Sequence, residues 1–292
     1  MSIKDLWKER KRPSISFEFF PARDEKAAQK LDKVMDNLAV LEPDFVSVTF
    51  GAGGSTREGS YQLAEKLKND KNLEVLPYVA AYGLGPDELT SVLDSYKQLG
   101  IENIFCVRGD QPEIENFQPH PDSLPHASDF LSWVGERYDF FKGAAAYPEG
   151  HKEAETMEKD LEYLKLKVEK DAGFIITQYC YDNGFFFNFM ERCRSIGIEV
   201  PIVAGVMPIY SVKMMENLAA LCGATITKEV RDGLAQLPQD DKSAVADFGV
   251  NFALKQCREL IQYGVQGIHF YTMDRSKTVV QVVNHLRSED LL

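Results

Sequence analysis

A glutamate stands in the middle of an aromatic run, Ser16-Phe17-Glu18-Phe19-Phe20. As a strand, this run puts Ser16, Glu18 and Phe20 on one face and Phe17 and Phe19 on the other, so Glu18 is not a simple solvent-facing charge. Either it serves a chemical purpose or it is a structural carboxylate paired with an inward basic residue. Other polar residues also end short apolar runs: Thr49, the tripeptide Arg108-Gly109-Asp110, Tyr147 with Glu149 and His151, Gln178, and Tyr271 with Arg275. Asp110 has a plainer reading as a loop cap, with Arg108 as its ion-pair partner. The five histidines show no HxxxH or HxH spacing and no GxSxG elbow occurs, so neither a metal site nor a serine nucleophile is expected. The run Gly51-Ala-Gly-Gly-Ser-Thr56 lacks the third glycine of a dinucleotide fingerprint and the Lys-Ser/Thr pair of a P-loop. Its amides still suit an anionic or carbonyl group.

The elements that must position these residues follow a rhythm. Strand-like runs recur at Ser14–Phe20, Asp44–Phe50, Leu73–Tyr82, Asn103–Gly109, Lys142–Pro148, Phe174–Tyr181, Val200–Pro208 and Gly267–Thr272. Between most of them lie helix-length amphipathic patterns: Asp24–Leu41, Tyr61–Asn69, Pro86–Leu99, Glu153–Lys170, Asn183–Ile196, Val212–Cys222 and Ala244–Tyr263. Glycines at 100, 197, 223 and 264 follow helix ends, as left-handed C-terminal caps require. Eight such alternations without a Pro- or Gly-rich linker point to a (β/α)8 TIM barrel, one domain spanning 1–292. The segment Thr225–Asp241 is long enough to add an extra helix before the last barrel helix. In a barrel, function sits at the C-terminal strand ends, where the polar residues above collect.

Composition narrows the partners. A net charge of -12 with no long basic block argues against nucleic acid and anionic membrane surfaces. No apolar run approaches a membrane span, and the N-terminal residues turn charged where a signal peptide would be apolar, so a cytoplasmic location is expected. The five cysteines are odd in number and lack a CxxC pair, which suits reduced, buried thiols.

Taken in order, "SFEFFPAR", "FVSVTFGAGGSTRE", "VRGDQP", "AAYPEGH", "KVEKDAGFIITQYCYD", "GVMP" and "HFYTMDR" resemble the methylenetetrahydrofolate reductases of the short bacterial type, over nearly the whole chain from Ser14 to Arg275. The resemblance implies an FAD-bearing barrel that reduces 5,10-methylenetetrahydrofolate to 5-methyltetrahydrofolate, with NADH or NADPH recharging the flavin. Some relatives instead take electrons from an iron-sulfur partner protein. It also implies a homo-oligomer.

In that family the acid of "FEFFP" protonates folate N10, a role that falls here on Glu18; an apolar setting between aromatic residues raises such an acid by desolvation. Asp110 matches the aspartate near flavin and pterin, contacting both. Gln178, Tyr271 and Arg275 match folate contacts. Flavin contacts fall on Thr49, Arg108, Gly109 and Ala127, and on Tyr147, His151, Asp160 and Lys167. The sequence departs from the family at Tyr78, where a histidine is common, at His126, where a tyrosine is usual, and at Val212, where some members carry an aromatic that stacks on folate and nicotinamide in turn.

Overall fold

A computed structural model describes residues 3–8, 12–50, 54–111, 117–238 and 241–292. Gly51–Gly53 and the side chains of Gly54–Thr56 lie outside them, and with these the anion-holding reading of that loop. Eight parallel strands close into a barrel in sequence order: β1 (Ser14–Phe19), β2 (Phe45–Val48), β3 (Val75–Ala80), β4 (Asn103–Val107), β5 (Phe141–Ala146), β6 (Phe174–Thr177), β7 (Ile202–Val206) and β8 (Gly267–Phe270). The closing pair sets Ser16 opposite His269, and β1 and β2 set Glu18 opposite Ser47.

The ring of helices comprises α2 (Glu25–Ala39), α3 (Gly54–Asn69), α4 (Pro86–Gln98), α5 (Ala127–Gly135), α6 (Met157–Glu169), α7 (Asn183–Ser195), α8 (Val212–Cys222), α10 (Lys242–Tyr263) and α11 (Lys277–Ser288). The extra helix expected between Thr225 and Asp241 is α9 (Lys228–Ala235), immediately before α10. Gly100, Gly197, Gly223 and Gly264 take φ of 75°, 80°, 77° and 92°, the left-handed conformation expected of them.

The expected helix set lacks α5 and α11. α11 buries Val279, Val282, Val283 and Leu286, a helical spacing. Its valines, however, favour strands by propensity, and Ser276 makes no side-chain cap. α5 is short and follows a proline-rich loop.

Outward strand residues such as Phe17, Phe19, Val46 and Val48 join the apolar layer under the helices. The barrel interior is a separate cluster built on Phe45, Leu76, Phe105, Phe174, Ile176 and Val203. Its N-terminal end is plugged by a first short helix, α1 (Ile3–Leu6), and by Trp7, which lies 5.5 Å from the Phe174 ring and donates to Ser14 Oγ at 3.1 Å. The interior below the mouth is therefore filled, which leaves the C-terminal end for ligands.

Gly205 of β7 is required where the interior meets that mouth. A Cβ there would stand 2.1 Å from the Thr177 carbonyl oxygen and 2.7 Å from the Tyr271 ring. Gly205→Ala is therefore expected to destabilise the fold by at least the ~1–3 kcal/mol of core overpacking. A thermal melt would read this as a midpoint several degrees lower, and an unchanged midpoint would contradict the packing described.

Candidate active site

Glu18 points inward from β1 at the barrel mouth and is 4% exposed. Burial pushes its carboxyl up to about 8; the Tyr78 phenol opposes that rise and the nearby Asp274 carboxyl adds to it. The ion-pair alternative fails here, because the groups acting on Glu18 are a phenol and a second acid.

Asp274 is itself raised to about 6 by burial, with the Phe20 N–H, donating to it at 3.2 Å, pulling the other way. Met273 and Asp274 hold consecutive left-handed conformations, φ 50° and 51°, a strain that the surrounding bonds must maintain. The Thr272 hydroxyl donates to the Glu18 carbonyl at 2.6 Å and accepts from the Asp274 N–H at 3.2 Å. The loop between β8 and α11 is thus laced to the end of β1 that carries Glu18.

A cavity of about 510 Å³ opens over the ends of β4 and β5 and beside α5 and α6. Arg108, Gly109, Asp110 and Ala127 line one side, and Tyr147, His151, Asp160 and Lys167 the other. The left-handed turn at Gly109, φ 87°, brings the backbone so close to β3 that a Cβ would lie 2.8 Å from that of Ala80. Arg108 is held by Glu153 in a two-pronged ion pair at 2.6 and 3.1 Å, so Asp110 is not its hydrogen-bonded partner. Asp110 is exposed at the rim.

Lys167 donates to the Ala145 carbonyl at 2.6 Å; burial brings its ammonium down to about 8, against the pull of Asp160. The Asp160 carboxylate accepts the His151 N–H at 3.0 Å, and the Tyr147 ring meets His151 edge-on at 4.6 Å. His126, the N-cap of α5, makes no side-chain capping bond, so the first turn of that helix opens onto the cavity.

The remaining expected residues gather on the other side of the mouth. The Tyr271 hydroxyl donates to the Thr177 carbonyl at 2.9 Å, which fixes its ring across β6 and β8. Gln178 follows directly; its side-chain oxygen accepts from the Tyr179 N–H at 3.1 Å. Arg275 is exposed, its guanidinium 5.7 Å from the Tyr210 ring. Burial raises the Tyr271 phenol, and the charges of Glu18 and Tyr147 add to that rise. Thr49 stands outside the cavity lining, at the end of β2, where its N–H bonds the Phe19 carbonyl at 3.1 Å.

The arrangement is a buried acid, raised by burial, at the same barrel mouth as a cavity lined by an apolar floor, two cations, three carboxylates and an open helix N-terminus. A family model described as methylenetetrahydrofolate reductase matches residues 3–287. The chain belongs to the methylenetetrahydrofolate reductase family. It is 34% identical over 267 residues to the 5,10-methylenetetrahydrofolate reductase of Escherichia coli strain K12, covering 90% of this chain and 87% of that one. It is 31% identical over 290 residues to "Methylenetetrahydrofolate reductase (NADH) 1" of Arabidopsis thaliana, covering 95% of this chain and 49% of that one. The chain therefore spans about half the length of the plant relatives it matches. A solved structure of an uncharacterised Clostridium thermocellum protein, described as binding two copies of 5-methyl-5,6,7,8-tetrahydrofolic acid, superposes with a TM-score of 0.66 at 15% identity over 99% of this chain and 100% of that one. At that identity the likeness is one of fold.

Within this barrel, Tyr78 and Asp274 both act on the ionisation of Glu18, although the motifs single out neither except Tyr78 as a departure. Their signal was available in part, since Asp274 lies inside "HFYTMDR" and Tyr78 follows a β3 proline. Their relation to Glu18 exists only once β1, β3 and β8 are brought around one mouth.

Proposed function

We propose that this chain is a flavin-dependent methylenetetrahydrofolate reductase in which Glu18 is the general acid. The observation that carries this reading is a buried carboxyl, which burial raises to about 8, at the same barrel mouth as a cavity whose lining suits a flavin. The fit of FAD rests on this chain's own groups. Arg108, Lys167 and the uncapped first turn of α5 suit a diphosphate, and Cys106, Val107 and Ala145 offer an apolar floor. Once bound and reduced, a flavin supplies the hydride.

The protein's task is to prepare the acceptor. The methylene group bridging N5 and N10 is a poor hydride acceptor until N10 is protonated and the ring opens to an N5 iminium cation. Glu18 carries that proton and delivers it at N10. Asp110, exposed at the rim, supplies negative charge that stabilises the cation. Gln178 offers its amide to the pterin, and Tyr271 with Arg275 frames and charge-matches the distal part of the folate.

NADH or NADPH is the electron donor in this reading. A second reading, electrons from an iron-sulfur partner protein, is favoured by one observation: Val212, at the first position of α8, is 37% exposed and replaces a stacking aromatic. The nearby Tyr210 is already committed, donating to the Tyr271 carbonyl at 3.3 Å. No helix among the described residues is long and apolar enough to cross a membrane. A cytoplasmic homo-oligomer completes the proposal.

A visible spectrum of the purified chain followed by anaerobic titration tests it. Flavin absorbance that bleaches with NADH or NADPH and returns with methylenetetrahydrofolate is the expected result. Bleaching by dithionite alone would support the protein donor, and a chain that binds no flavin would overturn the assignment.

A further inference from the structure

Arg108 and Glu153 meet across the cavity that opens over β4 and β5. Arg108 directly follows β4, Glu153 stands in the loop between β5 and α6, and both side chains line the cavity. A built turn presents Glu153. The His151 N–H is tied to the Asp160 carboxylate of α6 at 3.0 Å, the Ala154 N–H donates to the His151 carbonyl at 2.9 Å, and the Glu153 N–H donates to His151 Nδ1 at 3.1 Å. The carboxylate carried by this turn is half exposed, and the guanidinium it meets is one-third exposed.

The pair uses up the two-pronged grips that an arginine has for an anion. A guanidinium offers one fork at its end, through Nη1 and Nη2, and another along its side that includes Nε. Glu153 fills the first, with Nη1 donating to Oε2 at 2.6 Å and Nη2 to Oε1 at 3.1 Å. The Gly109 carbonyl takes the Nε proton at 3.1 Å and so removes the second. Only single N–H groups remain, and a phosphate held by one of them would also face the Glu153 carboxylate at close range. The charges lining the cavity oppose an anion as well: Arg108 and Lys167 against Asp110, Glu153 and Asp160, two cations against three carboxylates, leave a formal -1. Of the two groups on Arg108, Glu153 is the one that can leave. The Gly109 carbonyl belongs to a left-handed turn packed against Ala80, whereas Glu153 is a half-exposed side chain in an ion pair so open to water that breaking it costs little.

We propose that Glu153 is a latch on the cavity: while the cavity is empty it occupies the Arg108 fork that a flavin's diphosphate requires, and it swings out to solvent as the diphosphate takes its place. The inference rests on the flavin reading above. The exchange sets one acceptor for another on the same guanidinium edge, and it leaves two cations against two carboxylates around the incoming anion. Glu153 therefore weakens the hold on any ligand that needs Arg108. A ligand without a phosphate does not need it, so the latch acts on the diphosphate and leaves the isoalloxazine ring alone.

The test is the equilibrium affinity of the flavin-free chain for FAD and for riboflavin, which lacks the phosphates, measured by calorimetry on the parent, Glu153→Gln and Glu153→Ala. Glu153→Gln removes the charge and keeps the shape; Glu153→Ala removes the side chain altogether. Both substitutions fall at a half-exposed loop position, where the fold tolerates them. Both variants should bind FAD about fivefold more tightly than the parent, the fold-change that a partly exposed ion pair corresponds to, and riboflavin no more tightly than the parent does. An affinity for FAD that is unchanged or weaker in Glu153→Ala overturns the proposal, since a carboxylate that only orients Arg108 would help the phosphate instead of competing with it. Equal tightening of riboflavin overturns it too, because the effect would then lie away from the diphosphate. A parent that binds neither compound sinks the flavin reading itself, and the latch with it.

Discussion

Glu18→Gln is expected to leave flavin binding and flavin reduction by the native donor intact while slowing the folate half-reaction by about 10²–10⁴-fold, the usual worth of a positioned general acid. The amide is nearly isosteric and keeps a hydrogen-bonding group toward Tyr78, so the packing of this 4%-exposed position is little disturbed. What it lacks is a transferable proton for N10. The two half-reactions separate the outcomes. Stopped-flow oxidation of the reduced protein by methylenetetrahydrofolate should collapse while reduction by the donor does not. A variant that turns over folate at nearly the parent rate would remove Glu18 from the acid role, and one that loses flavin as well would make it structural.

Asp110→Asn is expected to make the flavin easier to reduce and the folate half-reaction slower. Asp110 stands at the rim of the cavity and its charge reaches Tyr147 and Arg108 within it. A negative charge so placed disfavours added negative charge on a bound cofactor and favours the cationic folate. Asparagine retains the capping capacity of the loop while removing the charge, so a purely structural aspartate would leave the midpoint potential where it was. An upward shift in a redox titration, together with weaker folate binding, is the expected pair of results. Because Arg108 is occupied by Glu153, loss of an Arg108–Asp110 ion pair is not available as a competing explanation.

Much of this was legible before the chain was folded. The strand runs carry their own period and the polar residues fall at their C-terminal ends, so a barrel with its chemistry at one mouth follows from the sequence. Glu18 was readable because alternation assigns its face, and the left-handed glycines because only glycine sits easily there. Two kinds of feature were hidden. Helix α11 hides because its buried positions are filled by valine, whose propensity speaks for a strand while its spacing speaks for a helix. The contacts of His269 with Ser16 and Ser47 inside the barrel, at 2.7 and 3.3 Å, hide for a different reason. Their members come from three strands, β1, β2 and β8, separated by long stretches of chain, and a serine or histidine alternating with apolar residues looks like any other interior position until the register is known. Tyr78 was visible only as a departure from the family, and its meaning depends on the neighbour it faces.

The central claim, that Glu18 holds the N10 proton near neutral pH, is tested most directly by the pH dependence of the single-turnover rate at which methylenetetrahydrofolate oxidises the reduced protein. Burial raises the acid, so its protonated, active form persists below about 8 and is lost as pH rises through that value. The expected profile is flat on the acid side and falls about tenfold per pH unit on the alkaline side, with that limb absent from the residual rate of Glu18→Gln. A rate that stays level well above pH 8, or an alkaline limb that survives unchanged in Glu18→Gln, would contradict the account.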